Sequence, residues 1–312
     1  MDKVLFIDAM NAIWRASVGF GPKKDPKHKL CMDCDAYITL HQLGHPHCEC
    51  GGAWFMVEDR CEETPNEDYV LIYNFFRNLR PIIEIFSPDK CFFVLEGHPQ
   101  FRYDLYSEYK ANRIVKTASK KSSRDRIFKN KDEIVRLMQY LPITICKAEA
   151  YEADDVIATL CENMKDEDIT VLSNDSDYIQ LLQRGYKNCH VYNPIKKEFM
   201  QPPTYPYVAW KSLAGDKADN IPKVLTPKKV EAAMRDPEVL RKLLSIEENR
   251  ANFNINRQLI EFRTVPIEDI IITEGVKDFS SLKEEFAKME FESIINSKSW
   301  AKYIATFNCI KY

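Results

Sequence analysis

Four short apolar runs constrain the fold of this chain more than any other feature: VLFID (4–8), CFFVLE (91–96), ITVLSND (169–175) and CHVYN (189–193). Each reads as a buried strand. Between them lie helical periodicities in YVLIYNFFRNLRPIIEIF (69–86), KDEIVRLMQYL (131–141) and DDVIATLCENM (154–164). Strands alternating with helices predict an α/β fold with a central, mostly parallel sheet flanked by helices. In such sheets ligands gather at the carboxyl ends of the strands. After about residue 203 the periodicities are helical alone, in WKSLAG, PKKVEAAM, EVLRKLL and SLKEEFAKM. The expected organisation is therefore an α/β core over residues 1–202 and a helical C-terminal part over 203–312, within the one or two domains that this length allows.

The formal net charge of −3 gives no bulk attraction to a polyanion, so affinity for nucleic acid would have to come from locally clustered Lys and Arg. One such cluster spans residues 110–131, with nine Lys or Arg against one Asp. Taken by itself, that run reads equally well as a solvated segment or as a phosphate-binding one. The start MDKVLFIDAM has no signal-peptide pattern, and no apolar run approaches the roughly 18 residues a spanning helix needs. A cytoplasmic protein without a membrane segment is expected. In a reducing compartment, clustered cysteines more often bind metal than pair as disulfides.

Acidic residues mark the ends of the predicted strands. Asp8 and Glu96 close two of them, and Asp175 and Asp177 follow a third. Glu152, Asp154 and Asp155 open a helix, while Asp216 and Asp219 lie in the turn-rich LAGDKADNIP. Any one of these is more often a cap or a turn acid than a ligand. Brought together, bare carboxylates raise one another's pKa and destabilise the fold, so such a cluster persists only with cations. An oxygen-only donor set suits Mg²⁺ or Mn²⁺. A site able to hold two such ions points to phosphoryl chemistry. No GxxxxGK[ST] loop is present, which favours hydrolysis of a phosphodiester over phosphate transfer from ATP.

FIDAMN, VLEGHPQFRYDLYSEYKANR, YEADDVIA, LSNDSDYIQLL and LAGDKADNIP stand in this order and spacing over roughly residues 1–225. In this the chain resembles the flap endonuclease and 5′-nuclease superfamily, nearest the phage 5′ to 3′ exonucleases, which include the T-even phage ribonuclease H. The resemblance implies a PIN-like core and a Mg²⁺-dependent 5′ to 3′ exonuclease or flap endonuclease that removes RNA primers or 5′ flaps in DNA replication. Its substrate would be DNA with a 5′ flap or an RNA/DNA hybrid. Single-stranded-DNA-binding protein or a sliding clamp would be its partner, and the enzyme itself a monomer. Two Mg²⁺ (or Mn²⁺) are implied, the first served by Asp8, Glu96, Glu152, Asp154 and Asp175, the second by Asp155, Asp177, Asp216 and Asp219. Lys110 and Arg113 of YKANR would act beside Asp154 in catalysis, stabilising charge at the scissile phosphate. Arg102 would join the nucleic-acid contacts, and Tyr109 would either stack on a nucleotide or anchor its helix.

The basic run falls where the family has its arch, so Lys116, Lys120, Lys121, Arg124, Arg126 and Lys129 would hold phosphates by charge, in a flexible segment that orders on substrate. Two departures stand out. Glu96 occupies a position where the family usually has Asp. No glycine occurs between Gly215 and Gly275, so a helix-hairpin-helix with close backbone approach to phosphate is altered or lost. Lys217, Lys223, Lys228 and Lys229 would then contact the duplex as point charges, making the helical part DNA-binding. The competing readings are a PIN-type ribonuclease and a non-catalytic nucleic-acid-binding module.

Residues 22–66 read as an insertion rich in Cys, His and Pro. Its pattern of CxxC, thirteen residues and CxCGG resembles a zinc ribbon, with Cys31, Cys34, Cys48 and Cys50 as the expected ligands of one structural Zn²⁺. His45, His47 or Cys61 could replace one of them, because a C-x-C knuckle is tighter than the usual C-x-x-C.

Overall fold

The computed structural model describes residues 1–17, 28–31, 37–38, 50, 54–57, 69–113 and 118–311. The chain begins with β1 (Lys3–Asp8) and α1 (Ala9–Ser17), followed by three short strands, β2 (His28–Cys31), β3 (Tyr37–Ile38) and β4 (Trp54–Val57). The core continues with α2 (Val70–Phe86), β5 (Lys90–Leu95), α3 (Gln100–Leu105), α4 (Ala118–Met138), β6 (Thr144–Lys147), α5 (Ala153–Asn163) and β7 (Asp168–Leu172). Then come α6 (Ile179–Leu182), β8 (Cys189–Asn193), β9 (Glu198–Phe199), α7 (Tyr207–Ala214), α8 (Pro227–Arg235), α9 (Pro237–Leu244) and α10 (Glu247–Ile260). The last elements are β10 (Ile271–Thr273), α11 (Phe279–Lys288), α12 (Glu292–Ile295) and α13 (Ser297–Phe307).

Seven strands form one mixed sheet in the order β10-β6-β5-β1-β7-β8-β9. The four strands expected from the apolar runs lie side by side in its middle, all parallel. The physical reason is visible in β1. Leu5 and Ile7 pack into a core cluster on one face while Val4 and Phe6 pack into another on the opposite face. A strand covered on both sides has no polar face to show, so its sequence is continuously apolar. Burying each of these side chains contributes roughly 1.5–3 kcal/mol.

Three strands of this sheet carry no comparable run. β6 is the four residues TICK, and β9 is only Glu198–Phe199. β10 pairs antiparallel with β6 through Ile271, Ile272 and Thr273. Its two isoleucines are about half exposed. The stretch after residue 203 is thus not helical throughout. Its final helices place Leu282, Phe286, Trp300, Tyr303 and Phe307 in the same cluster as Leu5 and Ile7.

The expected insertion contains a separate antiparallel sheet in the order β3-β2-β4, with Cys31 at the end of β2 opposite Trp54. Helix α4 occupies most of the basic run that was expected to be flexible, and it starts well before the periodicity at 131–141. Its first turns are polar on all sides, so no apolar stripe announces them. Among the described residues, no helix is long and apolar enough to cross a membrane.

Candidate active site

A cavity of about 550 Å³ opens at the carboxyl ends of β1, β5 and β7. Its wall brings together Asp8, Glu96, Glu152, Asp154, Asp175, Asp177 and Asp219, together with Lys110 and Arg113. Asp8 is the last residue of β1, and Glu96 follows β5 directly. Asp175 and Asp177 lie in the turn after β7, where the Asp175 side chain accepts from the Asp177 N–H. Glu152 is the N-cap of α5 and forms a capping box with Asp155, the arrangement that satisfies otherwise orphaned N–H groups.

The loop after Glu96 docks on residues 148–151. Gly97 donates to the Tyr151 carbonyl at 2.9 Å and His98 to that of Glu149 at 2.7 Å. A Cβ on Gly97 would lie 2.0 Å from the Ala148 carbonyl oxygen. Glycine is required there for the backbones to approach, and that approach sets Glu96 beside the start of α5.

Asp155 is bonded on both oxygens. Its Oδ1 accepts from Arg102 Nη2 at 2.8 Å and from the Arg263 N–H at 2.8 Å. Its Oδ2 accepts from Arg102 Nη1 at 2.6 Å and from the Glu152 N–H at 3.3 Å. Four donors saturate a carboxylate. Asp155 is thus a buried structural partner of Arg102, and its carboxylate also lies within 4.8 Å of those of Glu152 and Asp154, a grouping that could hold a metal ion. The expectation that Arg102 contacts nucleic acid is corrected. At 1% exposure it cannot reach nucleic acid, and it spends its other contacts on Glu152 at 3.0 Å and the Leu259 carbonyl at 3.0 Å. Burial alone would lower its pKa, but the bonds and charge of Asp155 outweigh that and raise it. Tyr109, 3% exposed, donates to Glu152 at 3.1 Å and Asp219 at 3.3 Å. It is an anchor and not a stacking platform.

The remaining acids divide by what neutralises them. Among the described residues, no Lys or Arg nitrogen lies within 4 Å of Asp8, Asp154 or Asp175. Asp8 accepts only neutral donors: the Asn11 N–H at 3.1 Å, the Ser173 hydroxyl at 3.2 Å and the Tyr178 hydroxyl at 3.4 Å. Burial, aided by the charges of Asp175 and Glu96, pushes its carboxyl up to about 6. Burial also raises Asp154, with the neighbouring Asp155 and Glu152 charges adding to it, and raises Glu96. Lys110 bridges this half to the other. Its Nζ pairs with Glu152 and lies 3.9 Å from both Glu96 and Asp219. The Lys110 backbone is left-handed, with φ of 57°, and its N–H donates to the Asp219 carbonyl at 2.9 Å.

The other half carries its own cations. Arg113, half exposed, pairs with Asp219. Lys211, on α7 and 8% exposed, pairs with Asp177 and lies 2.6 Å from Asp216 Oδ2. Burial pushes Asp177 up to about 6 against the opposing charge of Lys211. Asp216 is lowered, because the bond and charge of Lys211 overcome the effect of burial. The loop that holds Asp216 is closed by reciprocal bonds with Ile221 of 2.9 and 2.7 Å. It turns on Gly215, whose φ of 76° suits glycine. Asp216 is set back from the cavity wall. Lys211 was missed by sequence reasoning. A lysine between Trp210 and Leu213, five residues before Asp216, was the available signal.

Lys217, Lys223, Lys228 and Lys229 are all exposed. Lys129 is exposed on α4, which also contains the backbones of Lys120, Lys121, Arg124 and Arg126. The side chains of those four, all of Lys116, and Cys34, His45, His47, Cys48 and Cys61 lie outside the described residues. So does the Cys31 side chain, while Cys50 is described and exposed.

Oxygen-only donors, several of them raised by burial and by neighbouring carboxylates, fit hard divalent ions such as Mg²⁺ or Mn²⁺. Sheet and site together define an α/β fold with an acid-lined cavity at the carboxyl ends of its central strands. The sequence profile described as "5'-3' exonuclease, N-terminal resolvase-like domain" matches residues 52–206, which takes in Glu96 to Asp177 and leaves out Asp8, Asp216 and Asp219. Over that span the chain is similar to the N-terminal domain of 5'-3' exonucleases. A 5'-3' exonuclease of Mycoplasmopsis pulmonis is 30% identical over 161 residues, 48% of this chain and 51% of that protein. The 5'-3' exonuclease of Bacillus subtilis is 27% identical over 242 residues, 68% of this chain and 77% of that protein. DNA polymerase I of Chloroflexus aurantiacus is 28% identical over 182 residues, 54% of this chain, but only 19% of that much longer protein is spanned. Among solved structures, the bacteriophage T5 D15 protein co-crystallised with metal ions has a TM-score of 0.56 over 98% of both chains at 12% identity. Human GEN1 in complex with Holliday junction DNA has 0.52 over 97% of this chain and 71% of that one, at 15% identity. At these identities the likeness is one of fold.

Proposed function

We propose that this chain is a Mg²⁺-dependent 5′ to 3′ exonuclease or flap endonuclease that hydrolyses phosphodiesters of RNA primers or 5′ flaps during DNA replication. The observation that carries this reading is the convergence of Asp8 and Asp175 from two strand ends and Asp154 from the first turn of α5 on one cavity, with no Lys or Arg nitrogen within 4 Å among the described residues. Asp8, Glu96, Glu152, Asp154 and Asp175 would hold one ion, and Asp155, Asp177, Asp216 and Asp219 the other or its water shell. Two such ions lower the pKa of an attacking water and stabilise charge on the attacking and leaving oxygens. Lys110 and Arg113, at the rim of the same cavity, stabilise the extra charge on the phosphate. Arg102 and Asp155 fix the start of α5 and so aim Glu152 and Asp154.

The exposed Lys217, Lys223, Lys228 and Lys229 would track duplex phosphates without reading sequence, which gives the helical stretch after residue 203 its DNA-binding role. Helix α4 would supply the basic arch. The β3-β2-β4 sheet would carry one structural Zn²⁺ on Cys31, Cys34, Cys48 and Cys50. Its strand register favours this, since CxxC continues from the end of β2 and CxC precedes β4 at the same end.

The test is cleavage of 5′-labelled flap DNA and of an RNA/DNA hybrid with Mg²⁺, comparing wild type with Asp154→Asn and Asp177→Asn. Cleavage by wild type and a loss of roughly 10²- to 10³-fold in each variant are expected. A wild type that cuts neither substrate, or variants with full activity, would sink the proposal.

A further inference from the structure

Lys211 sits where the second half of the acid cluster would receive its ion. Its buried Nζ is shared by Asp177 and Asp216. Tyr207, four residues earlier and on the same face of α7, donates its hydroxyl to Asp177 at 3.1 Å and to Ser176 at 3.1 Å. Asp216 also accepts the Ala218 N–H at 2.7 Å. The two carboxylates are thus gathered and neutralised by the chain itself. Asp8, Asp154 and Asp175 have no such partner among the described residues.

We propose that Lys211 is a resident counter-cation, a positioning residue that holds Asp177 and Asp216 together without metal and competes with a divalent ion for them. This rests on the reading above that these acids bind such ions. An ammonium and a divalent cation sharing two carboxylates repel at short range, so the ion must displace the lysine or accept fewer ligands. The half around Asp177 and Asp216 consequently loads later, at higher metal concentration, than the half around Asp8, Asp154 and Asp175. Tyr207 keeps Asp177 in place whichever cation is bound.

The experiment is Mn²⁺ binding to the full chain without substrate, followed by the loss of the free-ion electron paramagnetic resonance signal. Wild type should show a tighter and a weaker class of site. In Lys211→Met the weaker class should tighten by about tenfold or more, the scale of removing one nearby like charge, and the tighter class should stay within about twofold. Tyr207→Phe, which keeps the ammonium, should leave both classes within about twofold of wild type. A weaker class unchanged or loosened in Lys211→Met overturns the inference. If Lys211→Met does not fold without metal, its recovery on Mn²⁺ titration is read by circular dichroism. Recovery below the concentration that fills the weaker wild-type class supports competition; recovery only above it, or none, refutes it. Wild type that takes up no Mn²⁺ at all would instead remove the nuclease reading on which the inference stands.

Discussion

The two halves of the acid cluster solve one electrostatic problem in different ways. Around Asp177, Asp216 and Asp219 the chain provides ammonium and guanidinium groups that pair with these acids directly, although burial still lifts Asp177 to about 6. Asp8 and Asp154 have no Lys or Arg paired within 4 Å among the described residues, only the longer-range charge of Arg15 on Asp8 and of Arg102 and Lys110 on Asp154, and burial moves both carboxyls upward. The first arrangement stabilises the metal-free fold. The second leaves the fold less stable than it could be and makes an external cation welcome. A single site can therefore be built partly for holding its own shape and partly for capturing an ion.

The sharpest way to test this division is to remove a residue that belongs to neither half. Arg102 and Asp155 form a buried, saturated pair, and breaking such a pair strands a charge at a cost of about 3–5 kcal/mol. Arg102→Met should lower the unfolding free energy by that amount in denaturant titration. Near-wild-type stability would mean that the pair contributes little to holding the start of α5.

A middle-sized effect is expected from pH. Asp8 rises from its ordinary 3.8 to about 6 in the folded chain, so the native state binds more protons than the unfolded one between those values. Stability of the metal-free protein should then fall as pH rises from about 4 to about 6, by something on the order of 2 kcal/mol from this group. Asp177, also raised to about 6, adds to this slope, so Asp8→Asn should remove only part of it in thermal melts. Saturating Mg²⁺ should oppose it, because the ion takes the place of the proton. A metal-free wild type that gains stability across this window would break the contrast between the halves.

The smallest effect concerns the exposed cation. Arg113 is half exposed where it pairs with Asp219, and such pairs are worth less than about 1 kcal/mol. Arg113→Met should shift the denaturation midpoint only slightly. A large loss would mean that Arg113, like Lys211, is a structural neutraliser.

Much of the fold was legible because parallel strands covered on both faces must be continuously apolar, as Val4 to Ile7 are. β6 and β10 escaped notice for the converse reason. They are short, and the two isoleucines of β10 remain about half exposed at the sheet's edge. Seven of the nine acids picked out by position do line the cavity, since a residue closing a strand must emerge at the sheet's functional edge.

What the sequence alone determined is thus the sheet, the edge at which chemistry-bearing residues emerge and the supply of carboxylates there. What only the tertiary structure decided is how those charges are shared out. Arg102 and Tyr109 look like substrate contacts in the chain order but are buried against Asp155 and Glu152, while Lys211 looks like an ordinary helix lysine yet closes on Asp177 and Asp216. Hydrophobic patterning is local and periodic, so it can be read along the chain. Ion pairing depends on which groups lose water together, and Arg102 and Asp155 meet 53 residues apart, a distance no periodicity encodes.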